Sequence, residues 1–161
     1  VREQVIHLCG SNPHNSYQGE YLMTAASNYL ENKVLDHVLR VSAFTQPSSL
    51  YLALFTNTST NAAANLEAGT LTDEVTTSSS AYSRQTVTFA AASSGTSATN
   101  ATVTFSAATA SWGTVTHVAI MDGGTAGSGN VLFYGAVTTS KQIDTGDTFQ
   151  VTSGNLTISL A

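Results

Sequence analysis

The sequence predicts a mainly β protein: a single antiparallel β-sandwich or barrel-like domain that begins with one amphipathic α-helix. Three observations carry this. Short runs alternate apolar with polar residues, as where Val103 and Phe105 sit among Thr102, Thr104 and Ser106, the mark of a strand with one buried face. Clusters of Gly, Ser, Thr, Asn and Asp separate these runs at hairpin spacing. Only the stretch that starts at Ser27 has helical periodicity.

A chain of 161 residues fits one domain with a real core. Only 9% of residues are charged, and the net charge is −5. Thr, Ser and Ala fill the missing places, which suits strands. It also suits a surface covered by partners, since free monomers usually depend on charge for solubility. No Lys/Arg cluster tracks a phosphate backbone, so nucleic acid is not an expected partner. No apolar run reaches membrane-spanning length. Cys9 is the single cysteine and can make neither an internal disulfide nor a zinc site alone.

Residues 1–22 differ from the rest, holding Cys9, His7, His14 and Pro13 without strand or helix periodicity. Two readings are open: a flexible N-terminal arm, or a translated leader with the natural start at Met23. The leader reading rests on Gln18-Gly19-Glu20, whose codons can contain a ribosome-binding sequence a short gap before Met23. Residues 23–161 form the expected single domain.

The helix is expected at about 27–41. Ser27 or Asn28 can cap it, with Glu31 completing a capping box from Asn28. Leu30, Val34, Leu35, Val38 and Leu39 make one apolar stripe. His37 sits inside it and needs no functional role. Leu50 to Phe55 is a strand, and residues 57–78 are a long polar loop of the kind that is functional, partner-bound or mobile. Strands follow at Tyr82–Ala91, around Thr102–Ser106, at Thr114–Asp122 after a corner at Trp112-Gly113, at Asn130–Thr139, and in two short runs to Leu160. In the Thr114–Asp122 strand, alternation puts Val115, Ala119 and Met121 on the face of His117, and Val118 and Ile120 on the other. Trp112 beside Gly113 reads as a core anchor at the corner before this strand.

The chemistry-bearing residues have plainer readings. The run Gly123 to Gly129 lacks the helix and Lys of a phosphate loop and reads as a hairpin tip. Asp122, Asp144 and Asp147 could give oxygen ligands to calcium, but turn geometry already accounts for them. His117 with Ser111 lacks a nucleophile elbow, so His117 reads as a hydrogen-bonded strand residue. Arg84 could bind an anion, and more often such an Arg pairs with a carboxylate. The sequons at Asn57, Asn100 and Asn155 carry no weight without a secretory signal. No catalytic, cofactor-binding or metal-binding residues are assigned, and no cofactor is expected. Tyr82, Arg84, Phe105, Trp112, Gly113 and His117 are the expected structural anchors.

The chain also resembles a known family. The resemblance lies in Asn28–Asp36, Leu50–Thr56, Ala81-Tyr-Ser-Arg-Gln-Thr-Val-Thr-Phe89, Thr104–His117 with its Ala-Ser-Trp-Gly-Thr-Val-Thr-His end, Leu132–Ala136 and Thr145–Phe149. These segments are similar, in order, to small structural proteins of tailed bacteriophages that are usually labelled tail-fibre proteins. Two departures stand out: Ser80-Ala81 where a Gly is expected before the Tyr, and Ser106 where a Pro is expected. The resemblance implies a non-enzymatic virion component without cofactor, made in the bacterial host cytoplasm and placed in the tail or on the capsid surface. Its implied partners are copies of itself, as a trimer by analogy, and other virion proteins. Three functions follow: a tail or fibre component, a capsid cement (decoration) protein, or a module binding host-surface glycans through exposed aromatics such as Tyr51 or Tyr134.

Overall fold

A computed structural model describes residues 16–17, 21–23 and 25–160. The sequence features of residues 1–15, including His7, Cys9, Pro13 and His14, lie outside them. The described chain is mainly β, with strands β1 (Ser16–Tyr17), β2 (Tyr21–Met23), β3 (Ala25–Ala26), β4 (Leu50–Phe55), β5 (Gln85–Val87), β6 (Thr96–Ala98), β7 (Val103–Thr104), β8 (Gly113–Met121), β9 (Val131–Ile143), β10 (Thr148–Val151) and β11 (Leu156–Ser159). Helices α1 (Asn28–Val38) and α2 (Ala62–Glu67) complete it.

The strands form a five-stranded antiparallel sheet, ordered β3-β9-β8-β4-β5, and two small sheets, β1-β10-β7 and β2-β11-β6. The sandwich-like reading holds and the barrel does not, because no described sheet closes on itself. Two pairings also depart from the antiparallel expectation, since β1 runs parallel to β10 and β2 parallel to β11. Strand β2 straddles the boundary expected between residue 22 and Met23. Tyr21 holds it there: its N–H donates to Asn155 O at 2.6 Å, and its buried ring lies 6.0 Å from that of Phe149. Burial pushes the Tyr21 hydroxyl pKa up to about 12.

Both faces of the large sheet are covered, which explains why β4 and the Val118–Met121 half of β8 are continuously apolar. Leu52, Leu54, Val118 and Ile120 point to the main core, shared with Val103, Phe149, Val151 and Leu156 of the small sheets. Ala53, Phe55, Ala119 and Met121 form a second core, closed by Leu66 of α2. Val115 departs from simple alternation. A register shift between Val115 and His117 moves it into the main core with Val118 and Ile120, rather than onto the face of Ala119 and Met121. The extra residue of such a bulge reverses which side of the sheet the preceding side chains meet.

Helix α1 begins one residue before the expected capping box. Ser27 is the N-cap: its hydroxyl accepts from Leu30 N–H at 3.3 Å and donates to the Val131 carbonyl. Ser27 thereby fastens the helix to β9. The helix ends at Val38, short of the expected Val41. Arg40 turns left-handed at φ 64°, and Val41 N–H closes on Asp36 O at 2.8 Å. Only Leu30 of the apolar stripe is buried.

Helix α2 lies within the segment expected to be a loop. Asn57 Oδ1 accepts from Ala62 N–H at 2.9 Å, and Leu66 is fully buried. Six residues are too few for periodicity to reveal.

Two stability changes follow. Ser27→Ala removes both the cap and the tie to Val131 and is expected to cost about 1–2 kcal/mol in urea unfolding. Ala81 is left-handed at φ 56°, at the position where the family resemblance leads one to expect Gly. Ala81→Gly is expected to raise stability by about 1 kcal/mol, since Gly adopts that backbone without a Cβ clash.

Candidate functional site

The most organised polar centre among the described residues is built on Arg84, just before β5. Its side chain is fully buried, and so, nearly, is that of Glu74. Arg84 Nε donates to Glu74 Oε1 at 2.7 Å and Nη2 to Glu74 Oε2 at 2.8 Å, a bidentate pair. Its Nη1 donates to the carbonyls of Gly123 and Ser128 at 2.6 and 2.8 Å. Glu74 also accepts from Gly127 N–H at 2.7 Å and from the Tyr82 hydroxyl at 3.1 Å. The Tyr82 oxygen in turn accepts from Leu54 N–H of β4 at 3.0 Å. Burial first, and the Glu74 charge second, push the Tyr82 pKa far up, which keeps it a donor.

The expected glycine hairpin is therefore held at its base. Gly124 packs so closely on Tyr51 that an added Cβ would come within 2.8 Å of the ring. Gly129, at φ 81°, lies against Asp122, whose carboxylate accepts from Asn130 N and Nδ2 at 2.7 Å each.

The anchors Tyr82, Phe105 and Trp112 meet in one aromatic cluster. The Tyr82 and Phe105 rings stack at 6.0 Å, and Trp112 meets them edge-on at 5.6 and 6.2 Å. Trp112 Nε1–H donates to Ser80 O at 2.7 Å. Gly113 supplies the φ of 80° at the corner where β8 starts. Arg84 joins this cluster through Glu74 and Tyr82. His117 lies apart, on β8, opposite Phe55 of β4. Its Nδ1 is 2.9 Å from Thr116 Oγ1. Burial lowers its pKa, against the pull of Asp73.

Sequence reasoning missed Glu74 and Asp73, both in the segment read as a loop. Asp73 accepts from Ser59 N–H at 2.8 Å, from the Ser59 hydroxyl and from Asn65 Nδ2 at 3.3 Å. Burial opposes its charge, yet the Ser59 and Asn65 hydrogen bonds and His117 hold the carboxyl below its ordinary value. The adjacent Asp73-Glu74 pair, the only acidic pair in sequence, was the available signal.

None of this arrangement presents a reacting group. Ser111 bonds to Ile143 O and Asp144, not to His117. Asp147 accepts from Asp144 N–H at 3.0 Å, as a turn requires. No three His, Cys, Asp or Glu side chains converge on a metal position among the described residues. Tyr134 is buried and donates to Glu67 at 3.3 Å, and Tyr51 is half-buried under Gly124. Neither gives the open aromatic face expected of a glycan platform. Among the described residues no helix is long and apolar enough to cross a membrane.

Comparison with known families gives a match over most of the chain. The model of a family described as Podophage GP4 fiber I protein gp80 matches residues 25–159, well over half of the chain. No curated protein matches the chain.

Arg84→Met leaves Glu74 buried without its partner and is expected to cost about 3–5 kcal/mol in denaturant unfolding. The Arg84→Met/Glu74→Gln double variant is expected to lose less than the sum of the two single losses. For Asp73 the folded carboxyl is the stronger acid, so its contribution is present above the unfolded value of about 3.8 and fades as pH falls through the folded one. Asp73→Asn is expected to remove this part of the acid-side loss, read as unfolding midpoint against pH.

Proposed function

The chain belongs to the podophage GP4 fiber I protein gp80 family, and from that premise we propose that it is a non-enzymatic, self-associating component of a phage tail fibre. The single observation that carries this reading is the extent of the family match. Residues 25–159 span every element from β3 to β11. The site chemistry supports it. The buried polar centre consists of an ion pair, a tyrosine and backbone groups, all turned towards one another. Such a centre fixes a surface and offers no group to a substrate. The sparse charge on a Thr- and Ser-rich surface suits a protein covered by neighbours in a particle. The family's description as a fibre protein favours the fibre over capsid cement. The burial of Tyr134 and the covering of Tyr51 weigh against glycan binding through those two rings.

Quantitative peptide mass spectrometry on purified particles tests this, with the major capsid protein as the scale. A few copies to a few tens of copies per particle are expected. A copy number matching the capsid protein would reassign the chain to the head surface. Absence from the particle would overturn the virion reading. The same peptides report whether residues before Met23 are present in the particle.

A further inference from the structure

Strand β8 outruns its neighbour on one side. It extends from Gly113 to Met121, but β4 pairs with it only from His117 to Met121. Past β4 the chain turns away. Phe55 bridges to Glu74, Thr56 N–H donates to Asp73 O at 2.9 Å, and the Thr56 hydroxyl donates to the same oxygen at 3.2 Å. On its other side β8 keeps β9 opposite Gly113, Thr114 and Val115. Among the described residues no strand pairs with Gly113–Thr116 on the side that β4 has left. A groove of about 360 Å³ lies there, lined by Thr56, Asn57 and Thr58 from the exit of β4 and by Trp112, Thr114 and Thr116 from β8 and its approach. None of these residues is charged. Gly113 also lines the groove, and a Cβ added to it would come within 3.6 Å of the Thr56 methyl, so its missing side chain keeps that end wide.

We infer that this groove is a strand-acceptor slot: an extended, uncharged segment of a different virion protein lies along Gly113–Thr116, in the place that β4 leaves empty. The inference rests on the virion reading above and names one contact within it. Three observations choose a peptide strand as the occupant. The first is the backbone. An open strand edge turns the N–H and C=O groups of alternate residues outward, at a spacing that another strand satisfies. Gly113–Thr116 offers roughly 13 Å of such an edge, about four residues of strand. The second is that the side chains around it are already engaged. Thr56 Oγ1 lies 2.9 Å from Thr58 Oγ1, Thr114 Oγ1 donates to Gln142 Oε1 at 2.8 Å, and Thr116 Oγ1 is 2.9 Å from His117 Nδ1. Recognition then falls to the main chain, as in strand addition to a sheet. The third is the chemistry of the walls, which are methyls and hydroxyls. A charged segment would lose water there and find no opposite charge. A sugar ring would find no open aromatic face, since Trp112 is buried with its Nε1–H on Ser80 O.

The test compares the free full-length chain with the same chain in purified particles, by amide hydrogen exchange and by photo-crosslinking from a small diazirine-bearing residue placed at Thr58, on the exposed rim of the groove. In particles the amides of Gly113–Thr116 are expected to exchange about tenfold more slowly than in the free chain. The crosslink is expected to map to an extended, uncharged segment of another virion protein. Thr114→Trp fills the groove from an exposed position, and it is expected to keep the circular dichroism and unfolding midpoint while losing both signals. If that variant fails to fold, exchange and crosslinking on the chain with Thr114 in place still decide. Unchanged exchange and no adduct, in particles that contain the chain, overturn the slot and leave the virion reading standing. Adducts confined to copies of this chain overturn the assignment to a different protein. Slowed exchange of the free chain on adding host-surface polysaccharide, without a protein adduct in particles, overturns the peptide occupant. Absence of the chain from the particles overturns the virion reading and this inference with it.

Discussion

The buried pair of Arg84 and Glu74 is the interaction on which the rest of the architecture leans. Two charges taken out of water cost several kcal/mol each unless their hydrogen-bonding positions are filled. Here Nε, Nη1 and Nη2 of Arg84 all have acceptors, and both Glu74 oxygens have donors. Filling them joins parts of the chain far apart in sequence. Glu74 comes from the long polar segment and bridges to Phe55 at the end of β4. Arg84 comes from the approach to β5, and the remaining groups come from the β8–β9 hairpin and from Tyr82. The pair thus sets the positions of the sheet's edge and of its longest hairpin at once.

The aromatic cluster beside the pair gives it dry surroundings. Phe105 meets Trp112 and Tyr82 on one side and Phe149 on the other, at 5.8 Å. Tyr82 belongs to both systems, with its ring in the cluster and its hydroxyl on Glu74. It links apolar packing to the polar clamp, so a change in either is felt in the other.

Much of this was legible in sequence. Alternation gave β8 and a compact apolar run gave β4, while β9, expected at Asn130–Thr139, continues to Ile143. Trp112 beside Gly113, and Tyr82 two residues before Arg84, were visible as residues needing burial or a partner. The partner was not visible. Glu74 lies ten residues from Arg84 across a segment without periodicity, and only the folded chain brings them together. Helix α2 was too short to announce itself, and the bulge near Thr116 leaves no trace in residue type, which misplaced Val115. The α1 stripe was read correctly as a stripe. Periodicity records that one face is apolar and does not say what covers it, and in this chain most of that face is open.

The pairing of the first strands with the last ones also sets an order of events. Met23 pairs with Ile158, and Tyr21 rests on Phe149. Each partner is made more than a hundred residues after the segment it holds. Contacts so distant in sequence form only after the intervening chain has lost its freedom, which slows folding. On the ribosome, β4, β8 and β9 can gather as soon as Ile143 has emerged, while one face of their sheet stays uncovered. That face closes only when β10 and β11 have followed. The C-terminal strands act as the latch of the fold, and a nascent or truncated chain that lacks them shows its main core to solvent.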